Sequence, residues 1–499
     1  MSKQSNSRRN KKSTSFRIGR VRAYLRGRVW YLCYYEDGRR HQPRVGPDLD
    51  VVRQMAAEIN AQLEVGAPSA LWFQPVSIPE LRQRWLDYHE HVRRSSVATV
   101  RRYRQATEHL LSFVQDVRPL RRVSDFRPAH AEEFVRYLRT IRVPLQGPVD
   151  RHRRPLRDTG VKYILETCSI LFNYAQKNRH LSPYAENPFQ TIEIGRIPVE
   201  DARPIVVFTP AQETKFLSAC DNWQFPLFLT FLMTGLRSAE LTHLLLPDDL
   251  DLDDGWLYVR NKPKLGWRVK TRNERNIPLV PVLVDVLRAA VDGRSSGPVF
   301  RRRSSGGGNG SMPAALSCSY LERELIRRRQ RREAELSRSP ARAEQAQIAW
   351  TLWRDMGAIH TRTIYHEFGR IAASIGLAHV TAPKTFRHTF ATMLQDANVD
   401  PLVRNELMGH VPAAASAAGV GLAMTAVYTH TRPETKRQQL ERALANRPAL
   451  EAARRWSTRA SLRKSWLSKA ESDSSCEPSA TPEEHTESIV CSNTGIEAK

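Results

Sequence analysis

The segment LFLTFLMTGLRSAELTHLLLPDDLDL, residues 227–252, limits the fold more than any other part of the chain. Its first eight residues are apolar on nearly every side of a helix, and such a helix is stable only inside a sizeable core. Thr234 and Gly235 are predicted to end this helix, and Arg237 follows them closely. Ser238 is the predicted N-cap of the next helix. We therefore expect Arg237 to be held rigidly between two helices.

The chain is strongly basic. It has 499 residues, 41% of them apolar, and a formal net charge of +25. This length suits two to four domains, since domains have about 100–200 residues. A charge excess of this size predicts an acidic partner, and nucleic acid is the first candidate. A solvated basic surface is the alternative, but arginines also recur along segments with a helical apolar pattern.

The cysteines and histidines do not indicate a metal or a disulfide framework. The six cysteines lie far apart, without a C-x-x-C pair. His89 and His91 are two residues apart, which is not the i, i+4 spacing of a helical metal pair. We therefore predict no cofactor.

No apolar run reaches the ~20 residues that cross a bilayer, and the N-terminus lacks the apolar core of a secretory signal. We expect a cytoplasmic protein, associated with the nucleoid when bound to DNA.

The first part of the chain is predicted to contain two DNA-binding modules after a basic arm. Residues 1–17 are expected to be a disordered arm rich in Lys and Arg. Residues 18–66, with an Asp-Gly turn in YYEDGRRH, predict a small three-stranded sheet and one helix. Residues 76–195 contain four segments of helical periodicity, and 143–155 is expected to be a loop. An ordinary β-domain and a solvated helical bundle are the alternatives.

A larger domain is predicted over residues 205–445. It is mostly helical, with one hairpin-like passage, GWLYVRNKPKLGWRVKTRNERNIPLV. A flexible and charged insertion is expected at 300–350. Its flexible part is SSGGGNGSM, and its charged part, LERELIRRRQRREAELSRSPARAEQAQ, is helix-prone. The glycine cluster lacks the ending of a phosphate-binding loop. Residues 450–499 are typical of a disordered tail. The predicted fold class is mainly α with small antiparallel β elements.

This domain carries candidates for chemistry in a fixed order. They are Arg237, Lys270, Lys384, Arg387, His410 and Tyr428. Each has an ordinary structural alternative, such as a surface arginine, an exposed lysine, a capping histidine or a half-buried tyrosine. A phenol is a weak nucleophile because its usual pKa is about 10, so a reactive tyrosine needs neighbouring groups. The ordered set supplies such groups and is unlike a chance arrangement.

These motifs resemble those of the tyrosine recombinases, also called the phage integrase family. The family patterns TGLRxxEL, a hairpin Lys, HxLRHTFAT, LGH and YTH stand here as TGLRSAEL, VKT, KTFRHTFAT, MGH and YTH. The resemblance implies a catalytic domain over 205–445, a core-site-binding domain over 76–195 and an arm-site-binding module over 18–66. It implies a site-specific recombinase or integrase that cuts and rejoins DNA through a 3′-phosphotyrosyl intermediate, without metal or ATP. The implied partner is double-stranded DNA with specific recombination sites, bound by a homotetramer on two duplexes.

The resemblance also implies a role for each candidate. Arg237 and Arg387 clamp the scissile phosphate, a task that suits guanidinium groups because they bind two oxygens at once. Lys270 protonates the departing 5′ oxygen. His410 binds the phosphate or assists proton transfer, and Tyr428 is the nucleophile.

The chain departs from the family pattern at two places. Lys384 stands where the family usually has histidine, and it can still donate to a phosphate oxygen. His410 and Tyr428 are 18 residues apart, about twice the usual spacing, so an Ala/Gly-rich stretch is expected to loop out. Lys264 is the rival for the hairpin lysine, and Tyr365 is the rival for the nucleophile.

Two alternative functions stay open on the sequence. One is DNA strand relaxation like that of a type IB topoisomerase, which uses a similar residue set on a monomer. The other is a catalytically silent DNA-binding accessory protein. The two N-terminal modules favour a recombinase over a topoisomerase, and the complete residue set argues against a silent protein. The helix ETKRQQLERALAN is a candidate for packing on a neighbouring protomer.

Overall fold

The computed structural model describes residues 15–69, 73–144, 153–181, 185–202, 204–303, 316–410 and 431–473. It divides into two compact units, Met1–Pro204 and Ile205–Lys499, and each is described by itself. None of the helices in these ranges is both long and apolar enough to cross a membrane.

The first unit begins with an antiparallel sheet packed on a helix. Its elements are β1 Ser15–Ile18, β2 Val21–Arg26, β3 Val29–Glu36, β4 Arg39–His41, β5 Arg44–Gly46 and α1 Leu49–Glu64. The strand order is β1-β2-β3-β4, and β5 also pairs with β3. Asp37 and Gly38 have φ values of 48° and 72°, as the predicted Asp-Gly turn requires. The sheet has five strands where three were predicted, because β4 and β5 are too short to show an alternating pattern in the sequence.

Four helices complete the first unit, in the segments where helical periodicity predicts them. They are α2 Ile78–Asp87, α3 Val97–Ser112, α4 Pro128–Thr140 and α5 Asp158–Lys177. Their core contains Trp85, Phe113, Phe134 and Phe172. Residues 143–155 are expected to be a loop, but the ends of this segment are strands. β6 Arg142–Pro144 pairs antiparallel with β7 Arg153–Pro155. Residues 145–152 lie outside the described part.

The second unit is a helical domain with short strands. Its helices are α6 Pro210–Ser218, α7 Gln224–Thr234, α8 Ser238–Leu241, α9 Pro281–Val291, α10 Cys318–Leu336, α11 Arg342–Asp355, α12 Thr361–Ser374, α13 Lys384–Asp396, α14 Pro401–Met408, α15 Pro433–Leu444 and α16 Pro448–Asp473. Its strands are β8 Leu245–Leu246, β9 Leu250–Asp251, β10 Trp256–Val259, β11 Arg275–Pro278 and β12 Gly297–Pro298. β9, β10 and β11 form one antiparallel sheet, and β8 pairs with β12. All residues of α7 are buried, as its all-round apolar sequence predicts. The mainly α fold class with small antiparallel β elements is confirmed.

The charged, helix-prone part of the predicted insertion forms the two helices α10 and α11. α10 and α11 pack against each other and share a core of their own with Leu265 of the β10–β11 connection. Leu321, Leu325 and Leu352 belong to this core. Residues 304–315 lie outside the described part.

The C-terminal helices pack on their own chain. α15 buries Leu440 and Leu444 within its own domain. α16 contacts α6 and α9, and its Trp456 stacks on Phe225 at 5.4 Å. The structure differs from the expected disordered tail over residues 450–473, where α16 is helical, and its buried Leu450 and Ala453 belong to the core of the domain.

Candidate active site

A glycine connects the central helix α7 to the first candidate residue. Gly235 has a φ of 60°, and its N–H donates to the Phe231 carbonyl at 3.0 Å. A Cβ at this position would clash with the ring of Phe390, so glycine allows α13 to lie against the end of α7. Two residues later, Arg237 is the N-cap of α8 and Ser238 is its first residue. The predicted cap is therefore wrong by one residue, since the Glu240 carboxylate, not the Ser238 hydroxyl, accepts from the backbone here.

Glu240 holds Arg237 by two bonds. The Arg237 backbone N–H donates to Glu240 Oε2 at 2.9 Å, and Arg237 Nη1 donates to Oε1 at 2.7 Å. The Glu240 side chain is 2% exposed, and that of Arg237 is 23% exposed. Among the described residues, nothing accepts from the Nε and Nη2 groups of Arg237. These donors remain available to a ligand.

Arg275 is a site residue that the sequence interpretation missed. Its Nη1 and Nη2 donate to the two Glu240 oxygens at 3.2 and 2.7 Å, and its Nε donates to the Leu407 carbonyl at 2.9 Å. Burial alone would raise the pKa of Glu240, but the bonds and charges of Arg275 and Arg237 outweigh it and keep that pKa below its usual value. The available signal was the alternation of β11, which puts Arg275 on the same buried side as Ile277.

Arg387 lies on α13, and its side chain is buried against two helix ends. Nη1 donates to the Gly235 carbonyl at 2.6 Å, and Nη2 donates to the Met408 carbonyl. Burial, followed by the positive charge of Arg237, lowers the pKa of Arg387 to about 10. Arg387 therefore keeps its charge at neutral pH, and helix carbonyls rather than a carboxylate orient it.

His410 follows the left-handed Gly409, which ends α14. The backbone N–H of His410 donates to the Asn405 carbonyl at 2.9 Å, and Arg387 Nη2 lies 3.2 Å from His410 Nε2. Partial removal from water, and then the charge of Arg387, lower the pKa of His410 below its usual value. The imidazole of His410 is therefore neutral. Its Nε2 accepts the bond from Arg387, and its Nδ1 carries the proton.

Lys270 is exposed on the connection between β10 and β11. The next residue, Thr271, donates its hydroxyl to the Gly409 carbonyl at 3.4 Å, which brings this connection beside the turn that carries His410. Lys270 itself has no hydrogen bond or ion pair with the described residues. The rival lysine, Lys264, is paired with Glu322 at 3.3 Å.

The remaining candidates are less closely associated. Lys384 is exposed at the first position of α13, and after burial its charge is the next cause that lowers the pKa of His388. Tyr428 lies within 411–430, outside the described residues. Tyr365 is exposed on α12. The structure thus brings Arg237, Arg387 and His410 together, with Lys270 on an adjoining connection.

The chemistry of this site suits an anion. Three guanidinium groups, those of Arg237, Arg275 and Arg387, surround one carboxylate, that of Glu240. Across the described ranges, no cluster of three or more His, Cys, Asp or Glu residues could hold a metal ion. The excess positive charge and the free Arg237 donors can bind and polarise the oxygens of an anionic group.

Comparisons with known proteins agree on one family. The phage integrase family model matches residues 207–435. Tyrosine recombinase XerC of Chlamydia trachomatis serovar D is 24% identical over 372 residues, covering 71% of this chain and 94% of that protein. XerA of Thermococcus kodakarensis is 27% identical over 209 residues, which are 42% of this chain and 51% of that protein.

Two integrases are among the solved structures that match this chain. The Tn1549 transposon integrase in complex with a circular intermediate DNA has a TM-score of 0.46 and 18% identity, covering 74% of this chain and 99% of that one. A lambda integrase tetramer bound to a Holliday junction has a TM-score of 0.43 and 14% identity, covering 78% of this chain and 95% of that one.

Proposed function

We propose that this chain, which the phage integrase family model matches over residues 207–435, is a tyrosine-type site-specific DNA recombinase that cuts and rejoins DNA strands through Tyr428. The phenol oxygen attacks the scissile phosphorus and displaces the 5′ oxygen, which leaves a 3′-phosphotyrosyl link and a 5′ hydroxyl. The energy of the broken bond is kept in the new link. Attack by a 5′ hydroxyl then rejoins the strand, so neither metal nor ATP is required.

The convergence of Arg237 and Arg387 carries this proposal. Negative charge grows on the non-bridging oxygens during attack, and fixed guanidinium groups stabilise such charge more strongly than flexible lysines do. Arg237 has unused donors, and Arg387 is oriented by two helix carbonyls. Their field also favours the phenolate form of an approaching tyrosine.

The other site residues take the proton and positioning roles. His410 Nε2 can exchange the bond that it accepts from Arg387 for one that it accepts from the phenol of Tyr428, and it can donate to the phosphate once it carries a proton. Lys270 gives its proton to the departing 5′ oxygen. Lys384 donates to a phosphate oxygen from the start of α13.

The proposed partner is double-stranded DNA with specific recombination sites. The net charge of +25 supports a polyanionic partner. We propose that four copies of the chain act together on two duplexes, with residues 18–66 on arm sites and 76–195 on core sites.

A suicide substrate tests the proposed chemistry. A nicked duplex that carries the recombination site loses, after cleavage, the short fragment with the new 5′ hydroxyl, which traps the covalent adduct. We expect a protein–DNA adduct in denaturing gels with the wild type and with Tyr365→Phe, the matched control, and none with Tyr428→Phe. A wild type that forms no adduct, or an undiminished adduct with Tyr428→Phe, would contradict the proposal. Relaxation of any supercoiled plasmid by a monomer would support a topoisomerase instead.

A further inference from the structure

We propose that the α10–α11 hairpin positions Lys270 by holding the base of the loop that carries it. We call residues 260–274, which connect β10 to β11, the Lys270 loop. The inference rests on the proposed function, in which Lys270 donates a proton to the leaving oxygen. It assigns a catalytic purpose to the insertion at 316–355, which the proposed chemistry otherwise leaves unused.

The hairpin and the Lys270 loop share a core. Leu265 is 1% exposed and packs with the buried leucines of α10 and α11. The indole Nε1–H of Trp353 on α11 donates to the Leu265 carbonyl at 3.1 Å. One side chain of the hairpin therefore binds the loop backbone directly.

The next residue brings the two backbones together. Gly266 has a φ of 72°, and a Cβ there would lie 2.5 Å from the Cβ of Ala349 on α11. Nothing larger than glycine and alanine can meet at this point, so α11 sets the position of the loop. The ion pair between Lys264 and Glu322 of α10 adds a contact at the edge.

Hydrogen bonds inside the loop connect this contact to Lys270. Lys262 and Trp267 exchange two backbone bonds of 3.0 Å, which closes the part held by the hairpin. The Asn261 side chain accepts from the Val269 N–H at 2.9 Å and donates to the Arg272 carbonyl at 3.0 Å. Lys270 lies between Val269 and Arg272, and its side chain is exposed. The position of the loop backbone therefore determines the point from which this side chain extends.

A DNA-binding role is the competing use of an arginine-rich hairpin. Several of its arginines are already paired within the hairpin: Arg328 with Asp355 at 2.8 Å, and Arg338 with Glu344 at 2.9 Å. Arg327 is paired with Glu324 at 2.7 Å. These carboxylates offset much of the charge that phosphates would meet, which favours a positioning role.

A change of leaving group isolates the step that the hairpin serves. When the P–O5′ bond breaks, the oxygen takes the electron pair and needs the proton of Lys270, and solvent later reprotonates the lysine. A 5′-bridging phosphorothiolate substrate releases a thiolate, which leaves without a proton. Loss of proton donation therefore slows cleavage of the oxygen substrate alone.

Two hairpin variants change the contact in different ways. Trp353→Phe keeps an aromatic ring and removes the donor to Leu265, while Ala349→Leu pushes the loop away from α11. Arg338→Ala, on the same hairpin and remote from the loop, is the matched control. Adduct formation is measured for the full chain on both substrates, and thermal unfolding confirms that each variant is folded.

We expect losses on the oxygen substrate and recovery with sulfur. Lys270→Ala should slow the oxygen reaction by about 10²–10⁴-fold, the usual contribution of a general acid. Trp353→Phe should slow it by about 10-fold and Ala349→Leu by about 100-fold, since small misplacements have effects of this size. All three should approach the wild-type rate on the phosphorothiolate, and Arg338→Ala should match the wild type on both.

Other results would overturn the inference in distinguishable ways. Equal losses on both substrates, or no loss with Trp353→Phe, would make the hairpin a structural element without influence on proton transfer. Lys270→Ala without sulfur recovery would remove the proton donor itself. A wild type that forms no adduct on either substrate would refute the proposed function.

Discussion

At the scale of single residues, the site depends on one carboxylate that serves two arginines. Glu240 binds both the half-buried Arg237 and the buried Arg275, so the three groups form one rigid unit. The sequence motifs identified Arg237, Arg387 and His410, which the fold brings together. They did not identify Arg275, because no local pattern in its strand indicates its partner Glu240 on the distant helix α8.

His243 provides a test of acid stability. It stacks on Trp267 at 4.7 Å, and its Nδ1–H donates to the Ala239 carbonyl at 2.7 Å. Burial, aided by the charge of Lys262, lowers the pKa of His243 to about 3. The usual pKa of histidine is about 6.5. Below that pH, His243 binds a proton in the unfolded chain but stays neutral in the folded chain. Folding stability is therefore lost as the pH falls from 6.5 toward 3.

Replacing this ring should flatten the pH dependence. Between pH 7.5 and pH 4.5, we expect the unfolding free energy of the wild type to fall by roughly 3 kcal/mol more than that of His243→Phe, since each pKa unit corresponds to about 1.4 kcal/mol. Urea unfolding at the two pH values measures the difference. Parallel losses in the two proteins would contradict the prediction.

At the scale of elements, the end of α7 depends on the space beside Gly235. Gly235→Ala adds a Cβ that meets the ring of Phe390 and adopts a strained φ of 60°. Gly293 is a matched control, because its φ is 71° and a Cβ added there would have no atom within 4 Å. We expect Gly293→Ala to cost about 1 kcal/mol, from backbone strain alone. Gly235→Ala should cost about 3–4 kcal/mol of unfolding free energy.

Urea unfolding of both glycine variants separates strain from packing. Adding Phe390→Leu to Gly235→Ala should restore part of the loss, because the ring is the group that the new methyl meets. Equal costs at the two glycines would mean that the packing of α13 against α7 contributes nothing.

The elements also differ in how well the sequence predicts them. The all-apolar α7 and the periodic helices α2 to α5 carry their burial in their own pattern, so the sequence alone indicates them. The sequence of the α10–α11 hairpin predicts a charged, helix-prone insertion but not the core that it forms. Its leucines pack with Leu265 of the β10–β11 connection, and such contacts between distant segments leave no local signal.

At the scale of the whole molecule, charge should govern DNA affinity. Residues 1–14 contain five Lys or Arg and no acid, and β1 begins at Ser15, so removing them leaves the sheet complete. We expect the logarithm of affinity to fall linearly with the logarithm of salt concentration. Since each phosphate contact contributes about 0.9 to the slope, the deletion should reduce the slope by at most about 4.5.

Fluorescence anisotropy over a salt series measures these slopes. Changing the same five basic residues to serine should reproduce the effect of the deletion, while adduct formation by saturating protein on a core site should be unchanged. A salt-independent affinity of the full chain would contradict the electrostatic interpretation.

Arg387 binds the carbonyls that end α7 and α14, two helices far apart in the chain. Its position is therefore set only when three separate segments have docked. The proposed DNA-binding modules precede this domain in the chain, so we expect a copy that ends before Met408 to bind DNA without cutting it.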